Sequence, residues 1–176
     1  MRLWVVFFFL TTSLWAQDIE VEYDKNRDLT GYKTFRFGEG EIITPKDQRV
    51  IKDATMHQWV KKAIREELTG KGLVFVDSAK ADLTASYIIG SLQRSDMQNL
   101  GPMGTAPGST DQTWSRNFQQ SSLIIDLNDR SNILIWRIQG VTTTTTPDAE
   151  NMIREVVSKG FKKFSLKPKK EKKKKK

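Results

Sequence analysis

The sequence predicts an α+β domain in two layers, a mostly antiparallel sheet covered by two helices, in the order β-β-α-β-β-loop-β-β-α. Three observations carry this. Short segments with alternating apolar and polar residues recur in both halves of the chain. Two longer segments, one in each half, place apolar residues at three- and four-residue steps. Clusters of glycine, asparagine, aspartate and serine punctuate the segments. There is no internal repeat, although each half runs two strands and then a helix or the reverse.

Ile19, Val21 and Tyr23 alternate with Glu20, Glu22 and Asp24, the pattern of a half-buried strand. Residues 26–31 read as a turn, and 32–37 alternate again. Gly38-Glu39-Gly40 and Pro45 then predict a loop from 38 to 47. The first helix is expected over 48–70, with Met56, Val60, Ala63, Ile64 and Leu68 as its buried stripe, Trp59 widening it, and Gly70 in the left-handed position at its end. Residues 73–77 enter a strand. In the next strand Leu83, Ala85, Tyr87 and Ile89 share one face, and Thr84, Ser86 and Ile88 the other. From Arg94 to about Gln120 periodicity vanishes, and the glycine- and proline-rich stretch 101–109 predicts a long loop; Trp114 and Phe118 point to a return to the fold. Residues 122–128 and 133–139, joined by Asp129-Arg130-Ser131-Asn132, form a hairpin with two apolar faces, which places it centrally in the sheet. The second helix begins at Thr146 as cap and Pro147 as first residue, and buries Ala149, Ile153, Val156, Val157, Gly160, Phe161 and Phe164.

The ends of the chain are of another kind. Met1-Arg2, the apolar run 3–10 and Ala16 read as a secretory signal cut after Ala16, too short for a membrane-spanning helix. Between residues 17 and 166 there are 20 basic and 20 acidic residues, so the net +8 belongs almost wholly to the lysine-rich tail 167–176, which is expected to be disordered. A neutral body argues against a nucleic-acid-binding face. No cysteine is present, which removes both disulfides and a cysteine-borne lipid anchor. The expected organisation is signal 1–16, domain 17–166 and tail 167–176.

Several phrases carry a family resemblance: Val21-Glu22-Tyr23-Asp24, then Leu29-Thr30-Gly31-Tyr32-Lys33-Thr34-Phe35, Lys71-Gly72-Leu73, Ala81-Asp82-Leu83-Thr84-Ala85-Ser86-Tyr87, Leu123-Ile124-Ile125-Asp126-Leu127 and Leu134-Ile135-Trp136-Arg137. In this order they resemble the DUF4136 family, bacterial envelope domains of unknown function found mostly in predicted lipoproteins. The resemblance covers about residues 19–166 and implies a periplasmic or outer-membrane-associated α+β domain, with no catalytic residue to carry over. The chain departs from the family in lacking the lipid-bearing cysteine and in reading Ile138-Gln139-Gly140 after Trp136-Arg137, where members commonly have glycine at once.

Chemistry-bearing motifs are sparse. His57 is the single histidine and there is no cysteine, so a zinc site lacks ligands. No glycine-rich phosphate loop or nucleophile elbow occurs. Asp126 with Asp129, and Asp77 with Asp82, are the conceivable carboxylate pairs; Asp126 alternatively pairs with Arg137 across the hairpin. Met97, Met103, Trp114, Trp136 and Arg137 are the candidate interaction surface, with a core role as the alternative for Trp136. The expected function is an exported, non-enzymatic envelope module, a binding, scaffold or accessory domain whose partner is an unknown envelope protein, glycan or anionic lipid, without cofactor, metal or specific nucleic acid. Two alternatives stand beside it. One is a hydrolase built from His57, Asp77, Asp82 and Asp126; the other is tail-driven association with an anionic envelope surface.

Overall fold

The computed structural model describes residues 17–99, 113–144 and 148–167. The expected signal 1–16, the stretch 101–109, Thr146, Pro147 and the tail beyond Lys167 lie outside these residues.

A six-stranded sheet in the order β1-β6-β5-β4-β2-β3 forms one layer. Its strands are β1 Gln17–Tyr23, β2 Thr34–Ile42, β3 Val74–Phe75, β4 Leu83–Asn99, β5 Thr113–Asp129 and β6 Leu134–Thr144. The β1–β6, β6–β5 and β5–β4 pairings are antiparallel, and β2 is parallel to both β4 and β3. Helices α1 Asp53–Gly70 and α2 Ala149–Gly160 form the second layer and cover one face only. The expected fold class and element order therefore hold, and the β5–β6 hairpin sits between β1 and β4.

The alternation read in the sequence sets this one-sidedness. Leu83, Ala85, Tyr87 and Ile89 of β4, with Leu123, Ile125 and Leu127 of β5, are buried under the helices. From above they meet Val60, Ala63, Ile64 and Leu68 of α1 and Ile153, Val156 and Val157 of α2. A bulge in β6, where the register shifts between Leu127 and Asn128, turns both Ile135 and Trp136 inward. Trp136 stacks on Tyr23 at 4.1 Å between ring centroids and meets Phe164 edge-on. Its indole N–H donates to the Gly160 carbonyl at 3.2 Å.

Several local expectations are corrected. Strand β2 runs on through Gly38-Glu39-Gly40, because a register shift between Phe37 and Gly40 absorbs the glycines. There, added methyl groups would collide with Ser86 and Thr84 at position 38 and with Tyr87 at position 40. The predicted loop 94–120 is largely strand: β4 and β5 pair from Leu83–Asp129 out to Asn99–Thr113. A single 3-10 turn, Lys46–Gln48, precedes α1, which starts only at Asp53. Gly72, two residues past Gly70, takes the positive-φ conformation (φ 100°). Asp148 caps α2, accepting a hydrogen bond from the Asn151 amide.

Two glycines let α2 lie close on β6. A methyl group added at Gly140 would fall 2.5 Å from Val156, and one at Gly160 would fall 2.5 Å from Ile138. Gly140→Ala is expected to cost about 1–3 kcal/mol through overpacking. In Gly140→Ala with Val156→Ala the two costs should be less than additive by at least about 0.5 kcal/mol, measured by urea unfolding. Strict additivity would show that helix and strand do not meet there.

Candidate functional site

Register carries each row of inward-facing residues straight across the sheet. One row reads Ile42, Ile89, Leu123, Gly140 and Ile19. It is large and apolar except at Gly140, where Val156 of α2 fills the space. The next row reads Thr44, Ser91, Ser121 and Thr142. Thr44, Ser121 and Thr142 are buried, yet their side chains are too short to reach the helices. Large side chains therefore stop one row before the sheet's covered face stops.

The result is a cavity of about 130 Å³ at the N-terminal ends of both helices. Its floor is the hydroxyl row, and its walls include Ile42, Ile51, Met56, Ile89 and Met152. The segment from Thr44 to Ile51 closes one side, with Val50, 89% exposed, at the rim. Floor hydroxyls are already partly engaged. The Ser91 amide donates to Thr44 Oγ1 at 2.8 Å, and Ser121 Oγ lies 3.2 Å from Ser91 Oγ.

Charged groups at the cavity are committed to holding the fold. The Arg49 guanidinium donates to the carbonyls of Thr44 (2.7 Å) and Ile42 (3.0 Å) and pairs with Asp53 in the first turn of α1. Asp148 is occupied in capping α2. The two positive helix ends are thus already met by carboxylates, Asp53 in the first turn of α1 and the cap Asp148 of α2.

The predicted catalytic candidates are dispersed. His57 Nδ1 sits 2.7 Å from the Tyr87 hydroxyl under α1, and burial pushes the Tyr87 phenol up to about 12. Asp126 lies on the opposite, uncovered face of the sheet, where it accepts a bidentate pair from Arg137 at 2.7 and 2.6 Å. Asp82 accepts from the backbone amides of Lys33 and Thr34, each at 2.9 Å, from Thr34 Oγ1, and from Arg130 at 2.7 Å. Asp129 holds the β5–β6 turn through the amides of Ser131 and Ile133 and pairs with Arg27. Asp77 is exposed. Among the described residues no three His, Cys, Asp or Glu side chains gather as a metal site.

Of the predicted interaction surface, Trp136 is buried and offers no surface, because it pairs with Leu127 and shares the helix-covered face with Ile138. Arg137 is half-exposed on the open face, tied to Asp126. Met97 and Trp114 belong to β4 and β5, with side chains outside the described residues, as is Met103 altogether. Sequence reading did not find the cavity. Its signal is the small residues Ser91, Ser121 and Thr142, and only the register shows that they share a row.

A two-layer α+β domain with one helix-covered face, and a small apolar cavity at the helix ends, is the class this geometry defines. The DUF4136 family model, a domain of unknown function, matches residues 19–164, and the chain belongs to that family. Among solved structures, a DUF4136 protein from Bacteroides thetaiotaomicron is similar at 13% identity and a TM-score of 0.51, covering 86% of this chain and 98% of that one. PelC of Paraburkholderia phytofirmans, described as a dodecamer, is similar at 10% identity and 0.51, covering 88% and 100%. At such identities the likeness is one of fold. No curated protein matches the chain in sequence.

Asp82 and Asp129 tie the bottom of the sheet, and their pKa values show it. Partial burial works against their charge. At Asp82 the donors from Lys33, Thr34 and Arg130 outweigh it; at Asp129 those from Ile133, Ser131 and Arg27 do. Both carboxyls are held below the usual range. A lowered folded pKa gives stability that is present above the unfolded value, near ~3.9, and is lost as pH falls through the folded one. Asp82→Asn should therefore cost about 2 kcal/mol at pH 7, and less as pH falls below about 4, read from unfolding midpoints across pH. A cost independent of pH would contradict the charged role.

Proposed function

We propose that this chain is an exported, non-enzymatic module of the bacterial envelope that works by binding, with the cavity at the helix ends as its binding site. The observation that carries the reading is the use of charge. His57 under α1, Asp126 on the open face, and Asp82 and Asp129 together at the bottom of the sheet each hold another part of the fold. The apolar, partly enclosed cavity at the helix ends has no carboxylate or histidine left over to do chemistry. Export is supported by the leader-like start of the sequence. Among the described residues no helix is long and apolar enough to cross a membrane.

The tail adds a second, less specific attraction. Its lysines bring on the order of 1 kcal/mol each near an anionic surface, and salt screens them over ~8 Å. The test separates the two. After expression in a bacterial host, mass spectrometry of the periplasmic fraction is expected to find Gln17 as the first residue. The chain lacking 167–176 should co-sediment with isolated envelope in 0.5 M salt, and Ala149→Leu, which fills the cavity, should weaken this at least about fivefold. Retention in the cytoplasm, or co-sedimentation that vanishes with the tail and ignores Ala149→Leu, would overturn the reading. So would ester or glycoside hydrolysis that disappears in His57→Ala.

A further inference from the structure

The cavity's size, lining and charge narrow what it can hold. We propose that it takes one uncharged hydrocarbon group, an alkyl chain end of about six carbons, which deepens the binding-module reading and rests on it. At about 130 Å³ it is close to cavities of ~150 Å³ that stay dry and hold a single benzene-sized group. Its apolar walls are aliphatic or thioether, from Ile42, Ile51, Ile89, Met56 and Met152, beside the polar Gln48, Arg49 and Asp148, and no aromatic ring lines it to favour a ring by edge-to-face contact. Met56 of α1 and Met152 of α2 both line it, and their unbranched side chains adapt to a flexible chain.

Charge excludes the other classes of ligand. An anion drawn to the helix ends finds Asp53 and Asp148 already there. A cation finds Asp53 held by Arg49 and Asp148 turned to the Asn151 amide. A charged group carried inward would lose its hydration without a partner. The hydroxyl row can accept at most a neutral polar atom at the floor. The entry lies beside Val50, whose near-complete exposure leaves an apolar rim where the rest of a chain would leave the protein.

The experiment is a titration of methyl-labelled protein with butanol, hexanol, decanol and benzene, following the methyl resonances of Met56, Met152, Ile42 and Ile89. Affinity should rise about fourfold per methylene from butanol to hexanol, then level off for decanol once the cavity is full. Benzene should bind more weakly than hexanol. Ala149→Leu and, on the floor, Ser121→Leu should each lower hexanol affinity at least about tenfold; a dispersed spectrum identifies whichever variant keeps the fold. The proposal is overturned by the absence of saturable shifts, by a rise that continues to decanol, by benzene binding as tightly as hexanol, or by filled variants that bind unchanged. If hydrocarbons fail while Ala149→Leu still weakens envelope co-sedimentation, the cavity remains a binding site and only the ligand class falls.

Discussion

Two helices cover one face of a six-stranded sheet, and they do not cover all of it. That mismatch is the constraint on which the rest depends. Large apolar residues stop at the row of Ile89 and Leu123, where Val156 reaches down to Gly140, and the following row is hydroxyl. Helix ends, the hydroxyl row of the sheet and the 44–51 segment therefore meet around a void rather than around packed side chains. A void of this kind forfeits dispersion contacts and costs stability. The fold accepts that cost while packing Trp136, Phe161 and Phe164 densely at the other end.

Electrostatics serves the same architecture. Asp82 fastens the start of β2 to the start of β4, Asp129 fixes the β5–β6 turn and reaches Arg27, and Asp126 with Arg137 bridges neighbouring strands on the open face. Arg49 pins the segment beside the cavity to the end of β2 and to α1. These are charge-assisted hydrogen bonds, and those of Asp82 and of Arg27 with Asp129 join elements far apart in sequence. They fix register more than they add stability, since most are partly solvated.

Much of the fold was legible because it rests on local periodicity. The stripe Val60, Ala63, Ile64 and Leu68 and the alternations in β4 and β5 are buried as read, and the Asp126–Arg137 pair follows from facing positions in a hairpin. What escaped depends on partners. Gly38-Glu39-Gly40 reads as a loop until β4 is beside it and a bulge absorbs the spacing. The outer parts of β4 and β5 have little apolar pattern in the sequence, and only their pairing with each other shows them to be strand. Trp136 and Ile135 point the same way only because of the bulge in β6. The site was hidden for the same reason. Ser91, Ser121 and Thr142 are unremarkable one at a time and become a cavity floor only when three strands are in register.

The most direct measurement is a crystal held under xenon pressure. Xenon enters dry apolar cavities of this size and leaves hydrated or collapsed ones empty. The account expects a single strong xenon peak between Met56 and Met152, above the hydroxyls of Ser121 and Thr142. Ordered water in that position, or side chains collapsed into it with no xenon bound, would contradict it.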